Sequence, residues 1–512
     1  MVSTAPLKPE KTSTNNVRIL TLNCWGLMLV SRKRKERIRA IAKRLEECRD
    51  YDIIALQEIW VESDYELLKH SVQGYLPFAK RWYSGILTGP GLAVFSRWPI
   101  ASAWIYRFPL NGRPSAFWRG DWYVGKAAGS CVIVHPSGRR LEVINAHLHA
   151  PYAPTGDAAY ECHRAAQAWD LSGIVRRSAK GGHTTFVTGD LNTRPQSVGL
   201  KLLQYSHLSD AWIDSHGYRE YSVNEIANFT PEEQICFAGV TSDSQLNTWR
   251  ANYAINRAKR LDYIFYDPET ATPLSSRVAF IEPEPNVGSL SDHFAFEAEF
   301  TLTEDSKNPN FEPHIPNTLN LSPKVRHCNH FPDIPKLAPM PLMQSVESLT
   351  YPQESPSAAH GNRQHTPPVD LNTGAPMGPL SPNQLSNPVL QPAMNASTYS
   401  YNDEEGLRRL HDEILEIIED YKSTCSSQSF WRLAHFWASA TVVIGLLVAV
   451  WWGAAKNRSY VGFIFMIVSL IIAITGVLNG LIGFLFGRGE CRALKEFEEQ
   501  VYLSLLNLGS LY

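Results

Sequence analysis

The chain has 512 residues, more than one ordinary domain needs, and its formal net charge is −2. So small a charge argues against a protein that holds nucleic acid through a broad basic surface. The eight cysteines are scattered without a CxxC pair, which argues against a zinc ribbon and against a disulfide scaffold. Residues 1–16 contain no apolar run, so we predict a flexible N-terminus and no cleavable signal peptide.

Residues 17–303 alternate strand-like and helical runs, as expected for one large domain. Eight segments are predicted strands: VRILTLNC, DIIALQEI, GLAVFSR, GSCVIVH, LEVINAH, TTFVTGD, LDYIFY and FAFEAEF. Two segments with helical spacing or composition are predicted helices: RKRKERIRAIAKRLEEC and ECHRAAQAWDLSGIVRRSAK. Mixed strands with a few interspersed helices predict an α/β or α+β sandwich.

Polar side chains stand at the ends of these strand-like runs. In chain order they are Asn23 (LTLNCWG), Glu58 (ALQEIW), His147 (INAHLHAPY), Asp190 and Asn192 (TGDLNTRP), Asp262 (RLDYIF), and Asp292 and His293 (SLSDHF). A phosphodiester resists hydrolysis because its negative charge repels nucleophiles and its alkoxide leaving group is poor, and Mg²⁺ counters both obstacles. Carboxylates, carboxamides and imidazoles are the groups that such chemistry needs, so the pattern predicts a metal-dependent phosphoesterase.

Glu58 fits the role of a magnesium ligand. Mg²⁺ prefers oxygen ligands and keeps several waters, so one or two protein carboxylates suffice. Taken alone, a glutamate at a strand end is more often a surface residue. The preceding Gln57, the apolar strand before it, and Asn23 at the end of the previous strand favour the metal site.

The segment GDLNTRP is the most specific motif, because its glycine permits a tight turn from which Asp190 and Asn192 project two residues apart. The carboxylate can orient or deprotonate a water, and the carboxamide can hold a phosphate oxygen. Standing alone, the motif would indicate only an Asx-rich turn. His147 and His293 are typical of an acid–base pair, with Asp262 available to fix the tautomer of one imidazole.

The segment GDWYVGK, with Asp121 and Lys126, superficially resembles a nucleotide-binding phosphate loop. It lacks the first-glycine spacing and the Ser or Thr after the lysine, which disfavours ATP binding. Seven aromatic residues lie in or near it: Trp104, Tyr106, Phe108, Phe117, Trp118, Trp122 and Tyr123. They indicate either core packing or a lip that enters a bilayer. The basic run at residues 32–37 indicates a solvated helix start or contact with anionic lipid head groups.

Residues 304–402 are predicted to be a disordered linker, since 17 of the 33 prolines fall in residues 301–400 and few aromatics accompany them. Residues 403–430 predict an amphipathic, membrane-proximal helix. Residues 434–454 and 460–486 carry no charge, and each is near the about 20 residues that cross a bilayer. They predict a two-pass transmembrane hairpin followed by a tail, residues 487–512.

The charges around the hairpin predict its orientation. Its flanks carry slightly more Lys and Arg than its connecting loop, which favours a cytosolic catalytic domain in an endomembrane. The endoplasmic reticulum is the first expectation, with the mitochondrial and plasma membranes as alternatives. A buried soluble helix pair is disfavoured, because both segments are long and apolar on all sides.

The motifs of residues 17–303 resemble those of the endonuclease/exonuclease/phosphatase superfamily, whose fold is a DNase I-like four-layer sandwich. TLNCWG, NAHLHAPY and RGDWYVGKAAG further resemble the neutral sphingomyelinases, and the hairpin resembles the membrane-anchored branch that includes the fungal inositol phosphosphingolipid phospholipases C. The long linker departs from the compact animal members. In the resembling family, the pair equivalent to Asp121 and Lys126 belongs to a loop implicated in regulation and substrate access.

The resemblance implies roles for the acidic and amide residues of the motifs. Glu58, together with Asn23, would bind Mg²⁺. Asp190 and Asn192 would orient the phosphate and the attacking water.

The resemblance also implies roles for the histidines. His293 would be the general base, held by Asp262 and next to Asp292. His147 would stabilise the phosphorane or assist the leaving oxygen. His149, two residues further on, is an alternative for that role.

We therefore predict a Mg²⁺-dependent sphingolipid phospholipase C that releases ceramide and a phosphorylated head group from sphingomyelin or from inositol phosphosphingolipids. Its partners would be the membrane sphingolipid and, as an option, anionic phospholipids, with no nucleic acid. A membrane-anchored inositol-polyphosphate phosphatase or nuclease of the same superfamily is one alternative. A non-catalytic membrane scaffold is another, disfavoured because every expected catalytic position is filled. The sequence leaves the head group and the oligomeric state open.

Overall fold

The computed structural model describes residues 15–303, except 29, 86, 218 and 219, and residues 404–509, except 457. The predicted disordered linker, residues 304–402, lies outside the described residues. So does most of the predicted flexible N-terminus, residues 1–16.

Within the described residues the strands are, in chain order, β1 (Asn16–Asn23), β2 (Ile53–Gln57), β3 (Phe78–Arg81), β4 (Ala93–Ser96), β5 (Ile100–Arg107), β6 (Ala127–Val134), β7 (Arg140–His147), β8 (Thr184–Asp190), β9 (Ser209–Asp210), β10 (Asp262–Tyr266), β11 (Ala271–Ala279) and β12 (Ala295–Leu302). They form two six-stranded sheets, ordered β11-β12-β1-β2-β4-β3 and β5-β6-β7-β8-β10-β9. Each sheet is mixed: β1 pairs with β2 in parallel, β7 pairs with β8 in parallel, and the other pairings are antiparallel.

The helices are, in chain order, α1 (Arg34–Glu47), α2 (Glu62–Val72), α3 (Asp121–Val124), α4 (Glu161–Lys180), α5 (Val198–Gln204), α6 (Ala211–His216), α7 (Val223–Ile226), α8 (Pro231–Ala238), α9 (Glu404–Ala455), α10 (Ser459–Leu481) and α11 (Arg488–Gly509). A π-helical segment, Ile482–Gly487, joins α10 to α11 without a break. The predicted helix at residues 161–180 coincides with α4.

The two sheets pack face to face, and their inner faces form the main core. Ile19 and Val94 of the first sheet share this core with Val143, Phe186 and Ile264 of the second. α1 and α2 cover the outer face of the first sheet, and α4 and α5 cover the outer face of the second. Burial of these apolar side chains is the main stabilising contribution. Two sheets between two helical layers make a four-layer sandwich, so the predicted fold class is confirmed.

The eight predicted strands are the eight interior strands of the two sheets. The four strands that were not predicted are β3, β5, β9 and β11, and they are the four sheet edges. Edge strands need no continuous apolar run, because they are partly exposed to solvent. β5 shows this well, since none of its residues is fully buried.

Two C-terminal helices are long and apolar enough to cross a membrane, as predicted. Large apolar side chains along them are exposed, among them Trp437, Ile444 and Leu470. α9 runs without interruption through the predicted membrane-proximal segment and the first predicted span. The predicted tail, residues 487–512, is largely the helix α11.

The N-terminal half of α9 packs directly on the sandwich. Ile414 and Ile418 of α9 share one apolar cluster with Phe497 and Val501 of α11 and with Trp169 of α4. The indole Nε1 of Trp169 also donates a hydrogen bond to Gln500 Oε1 at 3.0 Å. The C-terminal helices are therefore part of the same packed body as the catalytic domain, and not only an anchor at the end of a linker.

We expect Ile414→Ala to lower the midpoint of thermal unfolding in detergent, because the change removes a fully buried side chain where α9 meets the sandwich. Truncating a buried Ile to Ala costs about 2–5 kcal/mol. The matched control is Ile444→Ala, at an exposed position on the same helix. Equal midpoints for the two variants would show that α9 does not pack on the catalytic domain.

Candidate active site

Asn23 and Glu58 lie at the carboxyl ends of two neighbouring strands of the first sheet. β1 and β2 run in parallel with Asn23 opposite Gln57, so Glu58 follows directly beside it. Asn23 Nδ2 donates a hydrogen bond to Glu58 Oε1 at 3.1 Å and another to Asp190 Oδ2 at 2.9 Å. The amide therefore joins a residue of the first sheet to a residue of the second.

Three more predicted residues lie side by side at the ends of neighbouring interior strands of the second sheet. The parallel pairing of β7 with β8 puts His147 opposite Asp190, and the antiparallel pairing of β8 with β10 puts Asp262 opposite Asp190. His147 Nε2 lies 3.5 Å from Asp190 Oδ2. Strand register alone thus gathers three residues that are far apart in the chain.

His293 completes the cluster from the loop before β12. Its Nδ1 lies 2.8 Å from Asp262 Oδ2, and its Nε2 lies 3.9 Å from Asp190 Oδ2. Burial alone would lower the pKa of His293, but the carboxylates of Asp262 and Asp190 outweigh it and raise this pKa to about 10. The imidazole is therefore held as a cation between two carboxylates.

Glu58 has the properties of a metal ligand. Glu58 as a whole is half-buried, but its Oε2 is buried and has no hydrogen-bond partner among the described residues. Burial raises the pKa of Glu58, although Lys126 opposes that effect. A buried carboxylate oxygen without a donor is costly unless a cation or a water satisfies it. Glu58 therefore fits Mg²⁺, which needs few protein oxygens. Asn23 meets Glu58 through its Nδ2, and its Oδ1 accepts from the Trp25 N–H at 2.9 Å, so Asn23 orients the ligand carboxylate.

A second set of candidate ligand atoms comes from Asp190, Asp262 and His293, whose atoms lie within 4.8 Å of one another. This set suits a metal less well than Glu58 does. An imidazole must be neutral to ligate a metal, whereas both carboxylates favour protonation of His293. We read these three residues as a proton-handling group.

Lys126 reaches into the site from the start of β6. Its Nζ lies 2.7 Å from His147 Nε2 and 3.2 Å from Asp121 Oδ1. Burial, and then the nearby positive charge of Lys126, lower the pKa of His147 well below its usual value. His147 is therefore neutral and accepts a hydrogen bond from the lysine. The ammonium of Lys126, joined to Asp121, is the cationic donor at this position.

Asn192 and His149 are placed differently from the catalytic cluster. The backbone N–H of Asn192 donates to Asp190 Oδ1 at 2.9 Å, and its Nδ2 donates to Leu148 O at 3.0 Å. His149 lies beyond the end of β7 and stacks on Tyr160, with ring centroids 3.9 Å apart. Its Nε2 is 3.9 Å from Asp121 Oδ2. His149 thus belongs to the surroundings of Asp121 and does not take the place of His147.

Comparison with known proteins agrees with this arrangement. Residues 20–293 match the model of the endonuclease/exonuclease/phosphatase family. The chain belongs to this family. The inositol phosphosphingolipids phospholipase C of Saccharomyces cerevisiae is 34% identical, and the alignment covers 97% of this chain and 92% of that protein.

Two further relatives are similar over different extents. The enzyme of the same name from Schizosaccharomyces pombe is 32% identical, covering 94% of this chain and 92% of that protein. Human sphingomyelin phosphodiesterase 2 is 33% identical, covering 52% of this chain and 63% of that protein. These similarities confirm the predicted resemblance. Within its family the chain is a phosphodiester hydrolase of the neutral sphingomyelinase type.

Arg250 contacts a predicted site residue, and sequence reasoning missed it. It lies in the loop TWRANY, where no pattern marks it. Its Nη2 donates to Asp292 Oδ2 at 2.7 Å, and its guanidinium also approaches the ring of Trp25 at 5.7 Å. Asp292 is thus tied to Arg250, which explains why it stands next to His293 without pairing with it.

Arg37 is a second missed residue. The prediction of a solvated helix start at residues 32–37 holds for Arg32, Lys33 and Lys35, which are exposed, and needs correction for Arg34 and Arg37. Arg37 is fully buried and donates to the carbonyl oxygens of Cys24 (2.9 Å), Trp25 (2.6 Å) and Leu290 (3.1 Å). Arg34 is also buried, in an ion pair with Asp64. Neither side chain is solvated or available to lipid, because Arg37 fixes the backbone of the site loops and Arg34 joins α1 to α2.

We expect Gly26→Ala to reduce phosphodiester hydrolysis about a hundredfold, because displacing a catalytic group by about 1 Å has that effect. A Cβ at residue 26 would lie 2.1 Å from the carbonyl oxygen of Glu58, so the backbone that presents the candidate metal ligand must shift. The matched control is Gly74→Ala, where a Cβ meets nothing within 4 Å. Initial rates that are equal for both variants would contradict this placement of Glu58.

Proposed function

We propose that the protein is a Mg²⁺-dependent phospholipase C that cleaves inositol phosphosphingolipids or sphingomyelin into ceramide and a phosphorylated head group. One observation carries the proposal: a phosphodiesterase site and two membrane-length apolar helices belong to one packed body. The names of the relatives, which span nearly the whole chain, support a sphingolipid substrate. The substrate would thus be a phosphodiester that resides in the membrane.

Glu58 would hold the magnesium ion, and Asn23 would orient its carboxylate instead of supplying the ligand oxygen that the sequence led us to expect. When bound, Mg²⁺ supplies neutralisation of the phosphate charge and stabilisation of the leaving oxygen. The buried, partnerless Oε2 of Glu58 supports this assignment. Asn23 orients the other carboxylate oxygen and simultaneously fixes Asp190.

His293 and Asp190 would activate the attacking water. Asp262 occupies His293 Nδ1, which leaves Nε2 on the side of Asp190 as the atom that takes the proton. A base must be neutral before it accepts a proton, while His293 has a pKa of about 10. A cation held by Glu58 would oppose the field of the carboxylates and would lower the pKa of His293 toward the range that a base needs.

The reaction would break the bond between phosphorus and the ceramide oxygen. The water oxygen forms the new bond to phosphorus and gives a proton to His293. The ceramide oxygen leaves and takes a proton from solvent water, and His293 returns its proton to solvent before the next turnover. Lys126 is placed to donate to a phosphate oxygen, because its ammonium lies 2.7 Å from the neutral His147 at the end of β7. This assigns to Lys126 the charge stabilisation that the sequence led us to expect of His147, which would instead orient the lysine.

The hairpin formed by α9 and α10 would place the enzyme in an endomembrane as a two-pass protein with a cytosolic catalytic domain. Arg432, Arg488 and Arg492 flank the apolar spans on the catalytic side, against Lys456 and Arg458 in the connecting loop. The positive-inside rule favours the side with more basic residues as the cytosolic one. Contact with anionic phospholipids stays a prediction.

Purified full-length protein in detergent–lipid micelles should release ceramide and a phosphorylated head group in the presence of Mg²⁺, near neutral pH. EDTA should abolish the release, and added Mg²⁺ should restore it, because the proposed chemistry needs the cation to neutralise the phosphate. Mass spectrometry of both products distinguishes the proposal from its alternatives. Inorganic phosphate from inositol polyphosphates, cleavage of abasic DNA, or activity that survives EDTA would each contradict it.

Glu58→Ala and His293→Ala should each reduce the rate about a thousandfold or more, because both residues belong to one cooperating set. The double variant should be little worse than either single variant. High Mg²⁺ should partly rescue Glu58→Ala but not His293→Ala, because only the first change weakens cation binding.

Matched controls for these variants are Glu66→Ala and His70→Ala, at exposed positions of α2. Both should retain the wild-type rate. A His293→Ala variant as fast as these controls would refute its role as general base, and losses that multiply in the double variant would refute the shared step.

A further inference from the structure

Two adjacent aromatic side chains of the catalytic domain are largely exposed. Phe117 and Trp118 lie on residues 114–120, hereafter the aromatic loop, with 65% and 66% of their surface exposed. Their rings meet edge to face, with centroids 5.0 Å apart. Single exposed apolar residues are ordinary, whereas a contiguous aromatic pair on a surface indicates a binding partner.

The aromatic loop is held in place on both sides by hydrogen bonds. Tyr123 Oη donates to Pro114 O at 2.8 Å, and Tyr152 Oη donates to Arg119 O at 2.8 Å. Arg119 Nη1 in turn donates to Tyr160 Oη at 2.8 Å. These contacts fix the backbone on either side of the aromatic pair, so the outward position of the two rings is a property of the fold.

Both ends of the loop contact the C-terminal helices. Before the loop, Arg113 Nε donates to Tyr421 Oη of α9 at 3.0 Å. After the loop, the ring of Trp122 packs edge to face on Phe486, with centroids 4.9 Å apart. Phe486 lies in the π-helical segment where the apolar span ends, and Arg488 begins the polar helix α11. The loop therefore lies at the level where the hairpin would leave the hydrocarbon.

We propose that the aromatic loop enters the interfacial layer of the bilayer that the hairpin crosses, with Phe117 and Trp118 as its lipid contacts. The proposal rests on the proposed membrane location. Aromatic rings favour this layer, because their apolar bodies and polar edges suit the boundary between head groups and acyl chains. Phe430 and Trp431 of α9 are exposed near the same end of the spans and would belong to the same aromatic belt.

The contact would orient the active site toward its substrate. The loop continues into Asp121 and then Lys126, whose Nζ touches both Asp121 and His147. A bilayer contact only a few residues before Lys126 fixes the height of the site above the membrane. A sphingolipid head group could then reach the site while its chains remain in the bilayer. The aromatic loop is thus a positioning element, and neither of its rings is a catalytic residue.

Photo-crosslinking tests the contact without any need for activity. Full-length protein carrying p-benzoylphenylalanine in place of Phe117 is reconstituted into phosphatidylcholine vesicles and irradiated. We expect covalent phosphatidylcholine adducts at residue 117, detected by mass spectrometry. The matched control replaces Phe237, an exposed phenylalanine on α8, and should give no lipid adduct. Adducts only to protein, or equal lipid labelling at both positions, would overturn the proposal.

A kinetic test separates positioning from chemistry. Phe117→Ser/Trp118→Ser should lower hydrolysis of vesicle-borne sphingolipid about tenfold, since burying one such side chain changes an equilibrium by about that factor. Hydrolysis of a soluble short-chain analogue should stay within about twofold of the wild type, as is usual for surface substitutions. The control Leu274→Ser removes an exposed apolar residue from β11 and should alter neither rate.

The outcomes of these tests are distinguishable from failure of the proposed function. Equal losses on vesicles and on the soluble analogue, or no loss on either, would overturn the positioning role. If the wild type cleaves no sphingolipid at all, the proposed function fails, whereas the crosslinking result still decides whether the aromatic loop contacts lipid.

Discussion

A buried amide bridge between the two sheets is the interaction on which the active site depends. Gln57 Nε2 of the first sheet donates to Asn145 Oδ1 of the second at 2.8 Å, and Asn145 Nδ2 donates to the carbonyl oxygens of Leu56 (2.9 Å) and Ala93 (3.0 Å). Gln57 directly precedes Glu58, and Asn145 stands two residues before His147. Breaking such a buried network leaves unsatisfied polar groups at about 1–3 kcal/mol each. The bridge therefore fixes the separation of the two halves of the site.

Around this bridge, the site holds several backbone conformations that most residues avoid. Glu58 and Asn192 have φ values of 59° and 48°, in the left-handed region. Gly189, with φ of 131°, lets β8 approach β7 so closely that a Cβ would lie 2.0 Å from the carbonyl oxygen of Ala146. Such conformations persist only where the surrounding structure enforces them, and they are frequent at active sites. Here the strained residues are Glu58, which is the candidate metal ligand, and Gly189 and Asn192, which lie on either side of Asp190.

Buried apolar and polar contacts also join the sandwich to the C-terminal helices. α4 carries catalytic-domain core residues on one side and meets α9 and α11 on the other. Beside this apolar contact, Arg113 pairs with Asp157 and lies 3.7 Å from Glu490 of α11, while Tyr421 of α9 bonds both Arg113 and Glu490. Burial of these charges is favourable only while they are paired. The polar and apolar contacts together hold the aromatic loop and the hairpin as one unit.

The sequence by itself determined the interior of each sheet, the class of chemistry and the two apolar helices. These follow from local patterns: buried strands require apolar runs, metal–phosphate chemistry requires particular side chains, and membrane spans require about 20 uncharged residues. Only the tertiary structure decided the four edge strands, the pairing of Arg250 with Asp292, the place of Lys126 beside His147, and the stacking of His149 on Tyr160. Strand register and loop contacts set these features, and they join residues far apart in the chain through geometry that no local pattern records.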